Sequence, residues 1–200
     1  MSSLSFLLDL LLPPRKSERL VRALTLDQLS MLAHKERGTL PYHDPRVTAL
    51  VWEVKYRANK HALSLAGQFL AEQWLGIASE ELGAPLLIPV PMHTARRAAR
   101  GHNQTELLCQ ALLTELDEPV EYLPHALMRT RETRPQQGLE RHKRLINVAD
   151  SMQAATTLVA GRVCVVVDDV TTTGATLEEA RRALRNAGAR RVHFLTLAES

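Results

Sequence analysis

Cysteine is scarce in this chain of 200 residues. The only two cysteines, Cys109 and Cys164, each lie inside an apolar run, and neither belongs to a CxxC pair. This usage argues against a disulfide framework and against a cysteine-based zinc site. We therefore expect a protein of a reducing compartment, the cytoplasm.

Long apolar runs are missing as well. The most apolar stretch near the start, from Leu4 to Leu12, is interrupted by Asp9 and has no basic residue before it. It is too short to span a bilayer, and it lacks the charge pattern of a signal peptide. The sequence thus predicts no contact with a membrane.

Aromatic residues are few, and the formal charge is only +3. The positive excess is local, because residues 93–104 carry +3 and residues 128–144 carry +4, which leaves −4 for the remaining chain. Only eight residues are Phe, Trp or Tyr, and neither basic segment contains one. Since grooves for single-stranded nucleic acid combine basic and aromatic side chains, direct nucleic-acid binding is not expected. The two segments instead indicate a local site for an anion.

Apolar periodicity predicts an α/β fold. Helices are predicted where apolar residues recur at helical spacing, namely at about 17–34, 45–57, 61–81, 103–116 and 175–187. Strands are predicted at short apolar runs, namely at 86–90, 119–123, 162–168 and 191–197. From residue 85 onward this alternation is typical of a parallel sheet with crossover helices.

Local signals predict several element boundaries. Asp44 before Pro45 is a good helix start, because Asp accepts from free N–H groups and proline has none to leave unpaired. Asn103 and Glu106 have the spacing of a capping box. The stretch from Gly38 to Pro45 is interpreted as a connection rich in turns.

The most informative segment is 162–176. A continuous apolar strand is buried on both faces, and ligands of a doubly wound sheet lie beyond the carboxyl ends of its strands. Asp168 and Asp169 come at that point, and three threonines and Gly174 lead from them into a helix. Backbone N–H groups and the helix dipole there suit a phosphate. The segment predicts a ligand with a phosphate and, close to it, hydroxyl donors such as those of ribose.

Other interpretations of this segment do not account for its residues. A helix cap needs one Asp or Thr, whereas this loop presents two acids and four threonines. A P-loop is excluded because no Gly-Lys-Ser/Thr follows, and a dinucleotide fingerprint is excluded because GxGxxG is absent.

At these residues the chain resembles the type I phosphoribosyltransferases, whose loop for phosphoribosyl pyrophosphate (PRPP) consists of an apolar strand, two acids and a Thr/Gly-rich turn. The resemblance implies that Asp168 and Asp169 are the catalytic acids that hold the ribose 2′ and 3′ hydroxyls. It also implies that the turn wraps the 5-phosphate with the PRPP-binding residues Thr171, Thr172, Thr173, Gly174, Ala175 and Thr176.

A longer stretch resembles the ComF/GntX branch of that family. The match includes the segments 87–108, 131–147 and Val54–Arg57, and it covers about residues 40–198. Members of this branch often begin with a four-cysteine zinc module, which this chain lacks. The resemblance implies a type I phosphoribosyltransferase-like parallel sheet flanked by helices (41–200), with a small N-terminal helical hood (1–40).

The resemblance gives the two basic segments a role. Residues 90–102 correspond to a pyrophosphate loop and residues 129–147 to a flexible loop over the site. Fixed positive charge near departing pyrophosphate stabilises the transition state. Arg100 and Arg144 are the preferred contacts, and Lys55 is a third candidate. For each arginine, a solvated surface charge or a structural ion pair remains the alternative.

The resemblance implies transfer of the phosphoribosyl group from PRPP to an unidentified acceptor, with release of pyrophosphate. Mg²⁺ is expected as an ion that PRPP carries, and no metal ligands are assigned to the protein. His93 and His102 flank the first basic segment and are interpreted as loop histidines. The alternative is a PRPP-binding protein without catalysis, or a competence-type accessory of DNA uptake that acts through a protein partner. A homodimer is a further expectation.

Overall fold

The computed structural model describes residues 15–131 and 148–200. The helices in these residues are α1 (Lys16–Arg22), α2 (Leu26–Leu32), α3 (Pro45–Arg57), α4 (Lys60–Glu80), α5 (Thr94–Arg100), α6 (Gln104–Leu113), α7 (Thr156–Val159) and α8 (Ala175–Asn186). The strands are β1 (Leu40–Pro41), β2 (Leu86–Pro89), β3 (Leu127–Arg129), β4 (Met152–Ala154), β5 (Val163–Thr171) and β6 (Arg191–Glu199).

Four strands form a parallel sheet in the order β1–β6–β5–β2. Strand β5 lies inside the sheet, with β6 on one side and β2 on the other, where Leu86 is opposite Cys164 and Pro89 is opposite Val167. β3 and β4 form a separate antiparallel pair. The parallel order with helical crossovers confirms the predicted α/β fold.

The burial of β5 explains why its sequence shows no alternation. Successive side chains of a strand point to opposite faces, and helices cover both faces here. Val165 and Val167 enter a first core with α3, α4 and α6. Cys164 and Val166 enter a second core with α8 and the β3–β4 pair. The chain can therefore place apolar residues at every position up to the two acids.

The N-terminal helices pack on the first core. Val21 of α1 and Leu29 of α2 are buried in the same apolar cluster as Leu50 and Leu70. The division of the chain at residue 40 stays a prediction.

The predicted start of α3 is confirmed. Asp44 Oδ1 accepts from the N–H of Arg46 at 2.8 Å, and Pro45 is the first helical residue. The helix ends before Ala58, which has a φ of 47°. Asn59 then caps α4 by accepting from two N–H groups of its first turn. These caps fix the break between the two helices, which lies between the predicted ranges 45–57 and 61–81.

Two local predictions are wrong in detail. The connection from Gly38 to Pro45 contains β1, a two-residue edge strand that pairs with Ala198 and Glu199 of β6. The strand expected at 119–123 is reduced to a bridge between Tyr122 and Leu87. Prolines at both ends of that stretch remove the N–H donors that a longer ladder would need.

The predicted capping box at α6 is only half formed. Asn103 caps the helix by accepting from the N–H of Thr105 at 3.3 Å. Glu106 does not bond back to the Asn103 backbone; it accepts from the Asn103 side-chain amide and from Arg97. An arginine offers a carboxylate a charged, bidentate partner, which explains the difference.

Two sequence predictions fall outside the described residues, namely the apolar stretch Leu4–Leu12 and the candidate Arg144. Within the parts of the chain that are described, no helix is long and apolar enough to cross a membrane.

Gly67 of α4 is expected to be essential for helix packing. A Cβ at this position would lie 2.7 Å from the backbone carbonyl of Ala111, at the contact between α4 and α6. We expect Gly67→Ala to lower the free energy of unfolding by about 1–3 kcal/mol, because the helices must separate. Urea unfolding measures the change.

Gly76 provides the matched control in the same helix, because a Cβ there meets no atom within 4 Å. Gly76→Ala is expected to be neutral or to stabilise by up to about 1 kcal/mol, the difference in helix propensity. Equal effects of the two substitutions would contradict the packing assignment.

Candidate functional site

A cavity of about 510 Å³ lies beyond the carboxyl ends of β2 and β5. Six residues selected from the sequence line it: Lys55, Arg100, Asp168, Asp169, Thr172 and Thr176. The sheet brings them together from α3, α5, β5 and the turn after β5. None of the described residues 15–40 lines the cavity, whereas Tyr42, just after β1, does.

The two acids are buried at the end of β5. Asp168 is 7% exposed and Asp169 is 4% exposed. Asp168 Oδ1 accepts from the N–H of Asp169 at 2.9 Å, and Asp169 Oδ1 accepts from the N–H of Val170 at 2.8 Å. These bonds to the backbone fix both carboxylates and use one oxygen of each.

Lys55 of α3 contacts the acid pair. Its Nζ lies 3.0 Å from Asp169 Oδ2. The two groups carry opposite charges, so the contact is an ion pair, and no other group of the described residues donates a hydrogen bond to this oxygen. Burial opposes the charge of Lys55, but the carboxylates of Asp169 and Asp168 outweigh burial and raise its pKa.

Asp168 has the most perturbed carboxyl of the site. Burial, and after it the charge of Asp169, raises the pKa of Asp168 to about 7. The N–H of Asp169 and the charges of Lys55 and Arg129 offset part of this rise. The folded protein therefore holds a carboxyl at the sheet edge that water would ionise fully at neutral pH.

The turn from β5 into α8 has a defined shape. Gly174, the residue before the helix, has a φ of 75°, a conformation that glycine adopts without strain. Thr173 Oγ1 accepts from the N–H of Ala175 at 3.4 Å. The carbonyl of Thr171 accepts from the N–H of Ser200, so β6 supports the turn. Thr172 and Thr176 are the members of this turn that line the cavity.

The arginines of the first basic segment divide into two groups. Arg97 forms a bidentate ion pair with Glu106, in which Nη1 donates to Oε1 at 2.6 Å and Nη2 donates to Oε2 at 2.9 Å. Arg96 and Arg100 instead line the cavity. Arg100 Nη1 donates to Gln104 Oε1 at 3.0 Å.

Arg129, at the end of β3, is a site residue that sequence analysis did not select. It lines the cavity, and its Nε donates to the carbonyl of Pro91 at 3.1 Å. Burial, and after it the charge of Arg96, lowers the pKa of Arg129. Its place in the second basic segment was the only signal in the sequence, because β3 is too short to be predicted.

Two aromatic side chains of α3 also line the cavity and were not selected. Trp52 and Tyr56 have ring centroids 4.4 Å apart, and the guanidinium of Arg100 lies 5.1 Å from the centroid of Tyr56. Their spacing with Lys55 puts all three on one helix face. Aromatic and basic groups that are separate along the chain thus meet in space, so the premise used against nucleic-acid binding does not hold at this cavity.

The described residues contain no group of three or more His, Cys, Asp or Glu side chains suited to hold a metal ion. His93 caps α5, with its Nδ1 accepting from the N–H of Ala95 at 3.4 Å. His93 also lines the cavity, so its interpretation as a loop histidine stays a prediction.

Residues 76–200 match the model of the phosphoribosyl transferase domain. The chain belongs to this family. The phosphoribosyltransferase core then includes β2, β5, β6 and the acid pair, while α3 with Lys55 lies outside the matched residues.

Curated relatives place the chain in the ComF branch of the phosphoribosyltransferases. Competence protein F of Haemophilus influenzae is 35% identical over 116 residues, 57% of this chain and 50% of that protein. DNA utilization protein YhgH of Escherichia coli K12 is 33% identical over 154 residues, 76% of this chain and 66% of that protein. Transcriptional regulator GfcR of Methanothrix thermoacetophila is 30% identical over 161 residues, 80% and 66%. The chain spans between half and two thirds of the length of these relatives.

The raised pKa of Asp168 gives a prediction about stability. The folded protein holds the Asp168 proton more tightly than the unfolded chain does, so this group lowers stability as pH rises from about 4 to about 7. Asp168→Asn keeps the acceptor oxygen but cannot ionise. We expect the free energy of unfolding of this variant at pH 8 to be on the order of 1–4 kcal/mol higher than that of the wild type.

At pH 4, where Asp168 is protonated, the gain should be absent. Chemical denaturation at pH 4 and at pH 8 measures the difference in free energy of unfolding between variant and wild type. Asp150→Asn is the control, because the Asp150 carboxyl is 83% exposed. If Asp168→Asn is no more stable than the wild type at pH 8, the burial penalty assigned to this group is wrong.

Proposed function

We propose that this protein binds PRPP with Mg²⁺ and transfers its phosphoribosyl group to an acceptor, releasing pyrophosphate. The buried acid pair at the end of β5, in one cavity with the Thr/Gly turn and four cationic side chains, is the observation that carries the proposal. Membership of the phosphoribosyltransferase family supports the same reading.

The acid pair suits two neighbouring ribose hydroxyls. One oxygen of each carboxylate accepts from the backbone, which fixes the orientation of both groups at the edge of the cavity. Asp169 Oδ2 is buried beside Lys55 without a hydrogen bond of ordinary geometry from the described residues. A hydroxyl donor from the ligand would complete its hydrogen bonding. We assign the ribose 2′ and 3′ hydroxyls to Asp168 and Asp169.

The 5-phosphate is assigned to the turn of residues 171–176. Gly174 gives the turn its left-handed bend, and the backbone N–H groups of the first turn of α8 follow it. An anion at this point gains from these donors and from the helix dipole. Thr172 and Thr176 line the cavity beside it and can add hydroxyl donors.

Arg96, Arg100 and Arg129 are assigned to the pyrophosphate. In the transfer, the acceptor bonds to C1 with inversion, and the bond from C1 to the pyrophosphate oxygen breaks. The electron pair leaves with pyrophosphate, and the acceptor gives up a proton. Cations fixed near the departing oxygens stabilise the charge that develops there.

Lys55 is given a different role from the one that the sequence predicted, whereas Arg144 keeps its predicted role. Because Lys55 lies 3.0 Å from Asp169, we assign it to holding the acid pair in place of the pyrophosphate contact first considered. The role of Arg144 stays a prediction outside the described residues. Mg²⁺ that arrives with PRPP would neutralise polyphosphate charge, and it needs few protein ligands.

Loss of one acid should weaken PRPP binding. We expect Asp168→Asn and Asp169→Asn each to weaken PRPP-Mg binding by at least about tenfold, because a charge-assisted hydrogen bond contributes roughly 1.5–3 kcal/mol. Isothermal titration calorimetry measures the affinity. Asp150→Asn is the control and should bind like the wild type. Unchanged PRPP-Mg affinity in Asp168→Asn would show that the site is assigned wrongly.

A second candidate function is a PRPP-binding accessory of DNA uptake without catalysis. The relatives named for competence and DNA utilization support it, and so does the meeting of Arg100 with Tyr56. A competence protein or a second copy of this chain as its partner stays a prediction.

A screen of nucleobases and other amines for pyrophosphate release separates the two candidates. The enzyme should release pyrophosphate from PRPP-Mg with one acceptor class and lose this activity in Asp169→Asn. The accessory protein should release none with any acceptor. It should also bind single-stranded DNA with a steep salt dependence that PRPP does not compete away.

A further inference from the structure

We propose that Glu179 of α8 is a positioning residue that holds Arg129 at the pyrophosphate end of the cavity. It acts through β4, the strand that pairs with the strand carrying Arg129. The inference rests on the proposed assignment of Arg129 to pyrophosphate. It links the helix whose first turn is assigned to the 5-phosphate with a cation assigned to the other end of PRPP.

Glu179 is a buried carboxylate outside the cavity. It is 5% exposed and does not line the cavity. Burial opposes its charge, but the hydrogen bonds from Arg182 and from the N–H of Met152 outweigh burial and lower the pKa of Glu179. Burying a charge is costly unless the charge is paired. Helix formation does not require this burial, because the preceding residue, Glu178, keeps its side chain 57% exposed.

The carboxylate of Glu179 binds the backbone of β4. Its Oε1 accepts from the N–H of Met152 at 2.9 Å. Arg182 completes the contact, because its Nε donates to Glu179 Oε2 at 2.8 Å and its Nη2 donates to the carbonyl of Met152 at 3.2 Å. The two side chains of α8 thus bind both backbone polar groups of one residue of β4. This arrangement fixes the position of β4 relative to α8.

The position of β4 in turn determines where Arg129 lies. Met152 is directly opposite Arg129 in the β3–β4 pair. Ser151, which is fully buried, accepts on its Oγ from Arg129 Nη1 at 3.5 Å. On its other side, Arg129 Nε donates to the carbonyl of Pro91 at 3.1 Å. The guanidinium is therefore held between β4 and the loop after β2, and Glu179 holds β4.

The charge of Glu179 also acts on Arg129. Burial, and after it the charge of Arg96, lowers the pKa of Arg129, and the charges of Asp168 and Glu179 oppose this effect. Glu179 thus supports the guanidinium in two ways, through the backbone of β4 and through its negative charge. Hydrogen-bonded networks of buried groups of this kind fix one geometry.

A positioning role and a purely structural role of Glu179 make different predictions. If the Glu179–Arg182 pair only stabilised the fold, its loss would affect both ends of the bound ligand alike. If Glu179 positions Arg129, its loss weakens the contact with pyrophosphate and spares the ribose and 5-phosphate. The acid pair and the turn after β5 keep their own hydrogen bonds from backbone groups.

Calorimetry of the full chain with two ligands in the presence of Mg²⁺ tests this difference. Ribose 5-phosphate reports on the acid pair and the turn, whereas PRPP reports on the pyrophosphate contacts as well. Glu179→Ala should weaken PRPP-Mg binding by about tenfold or more, the equivalent of one lost charge-assisted hydrogen bond. Its affinity for ribose 5-phosphate should stay within about twofold of the wild type, since that part of the site is supported independently.

Glu178→Ala is the matched control in the same helix. Glu178 pairs with Arg181 three residues further on, as Glu179 pairs with Arg182, but on the exposed side of α8. This variant should bind both ligands like the wild type. Glu179→Gln keeps an oxygen for the N–H of Met152 and loses the charge, so it should bind PRPP-Mg about threefold less tightly than the wild type. If Glu179→Ala does not fold, Glu179→Gln decides the test.

A double-mutant cycle tests whether Glu179 acts through Arg129. Arg129→Ala should weaken PRPP-Mg binding by itself. Adding Glu179→Ala to that variant should cause little further loss, because the group that Glu179 positions is already absent. The affinity for ribose 5-phosphate should remain close to that of the wild type in both variants.

Three results would overturn the inference. Unchanged PRPP-Mg affinity in the Glu179 variants would show that this carboxylate does not support the site. Equal losses for PRPP and ribose 5-phosphate would assign Glu179 to general stability. A full further loss in the Arg129→Ala background would exclude action through Arg129. Failure of the wild type to bind PRPP-Mg is a separate readout that refutes the proposed function itself.

Discussion

Two adjacent carboxylates stand buried at the carboxyl end of the central strand, and the arrangement around them follows from that constraint. Asp168 and Asp169 repel each other and lose most of their water, so the folded chain must supply compensation. Backbone N–H groups supply part of it. Lys55 supplies charge from α3, and Arg129 supplies charge from the end of β3. Elements that are far apart in sequence thus meet around the two acids at one edge of the sheet.

This compensation is incomplete, and its incompleteness suits a binding site. The pKa of Asp168 remains near 7, and Asp169 Oδ2 has an ion pair but no ordinary hydrogen bond in the described residues. A ligand with two hydroxyl donors meets groups that are already dry, fixed and short of partners. Stability is given up at the place where recognition is proposed, as is common for binding sites.

The sequence allowed β5 and its acids to be located because strand burial leaves a direct trace, an apolar run that stops at Asp168. Helix α3 was predicted from the start signal at Asp44 and from its apolar spacing, and α4 was predicted from apolar spacing alone. Arg129, Trp52 and Tyr56 were not found, because their place at the cavity arises only when distant elements meet. No local pattern tells that the ring of Tyr56 lies beside Arg100, some forty residues further along the chain. Short pairings such as β1 with β6 carry too few residues for a periodic signal.

Helix α5 has no buried residue, although it carries Arg96 and Arg100 to the cavity. Its contacts with neighbouring helices include the Arg97–Glu106 ion pair, the bond from Arg100 to Gln104 and the packing of Arg100 on Tyr56. Dissolved salt screens such exposed charges within roughly 10 Å at 0.1 M. Ionic strength therefore has two effects on this cavity. It weakens the attraction between the cations and a bound anion, and it weakens the ion pair that holds the helix carrying two of those cations in position.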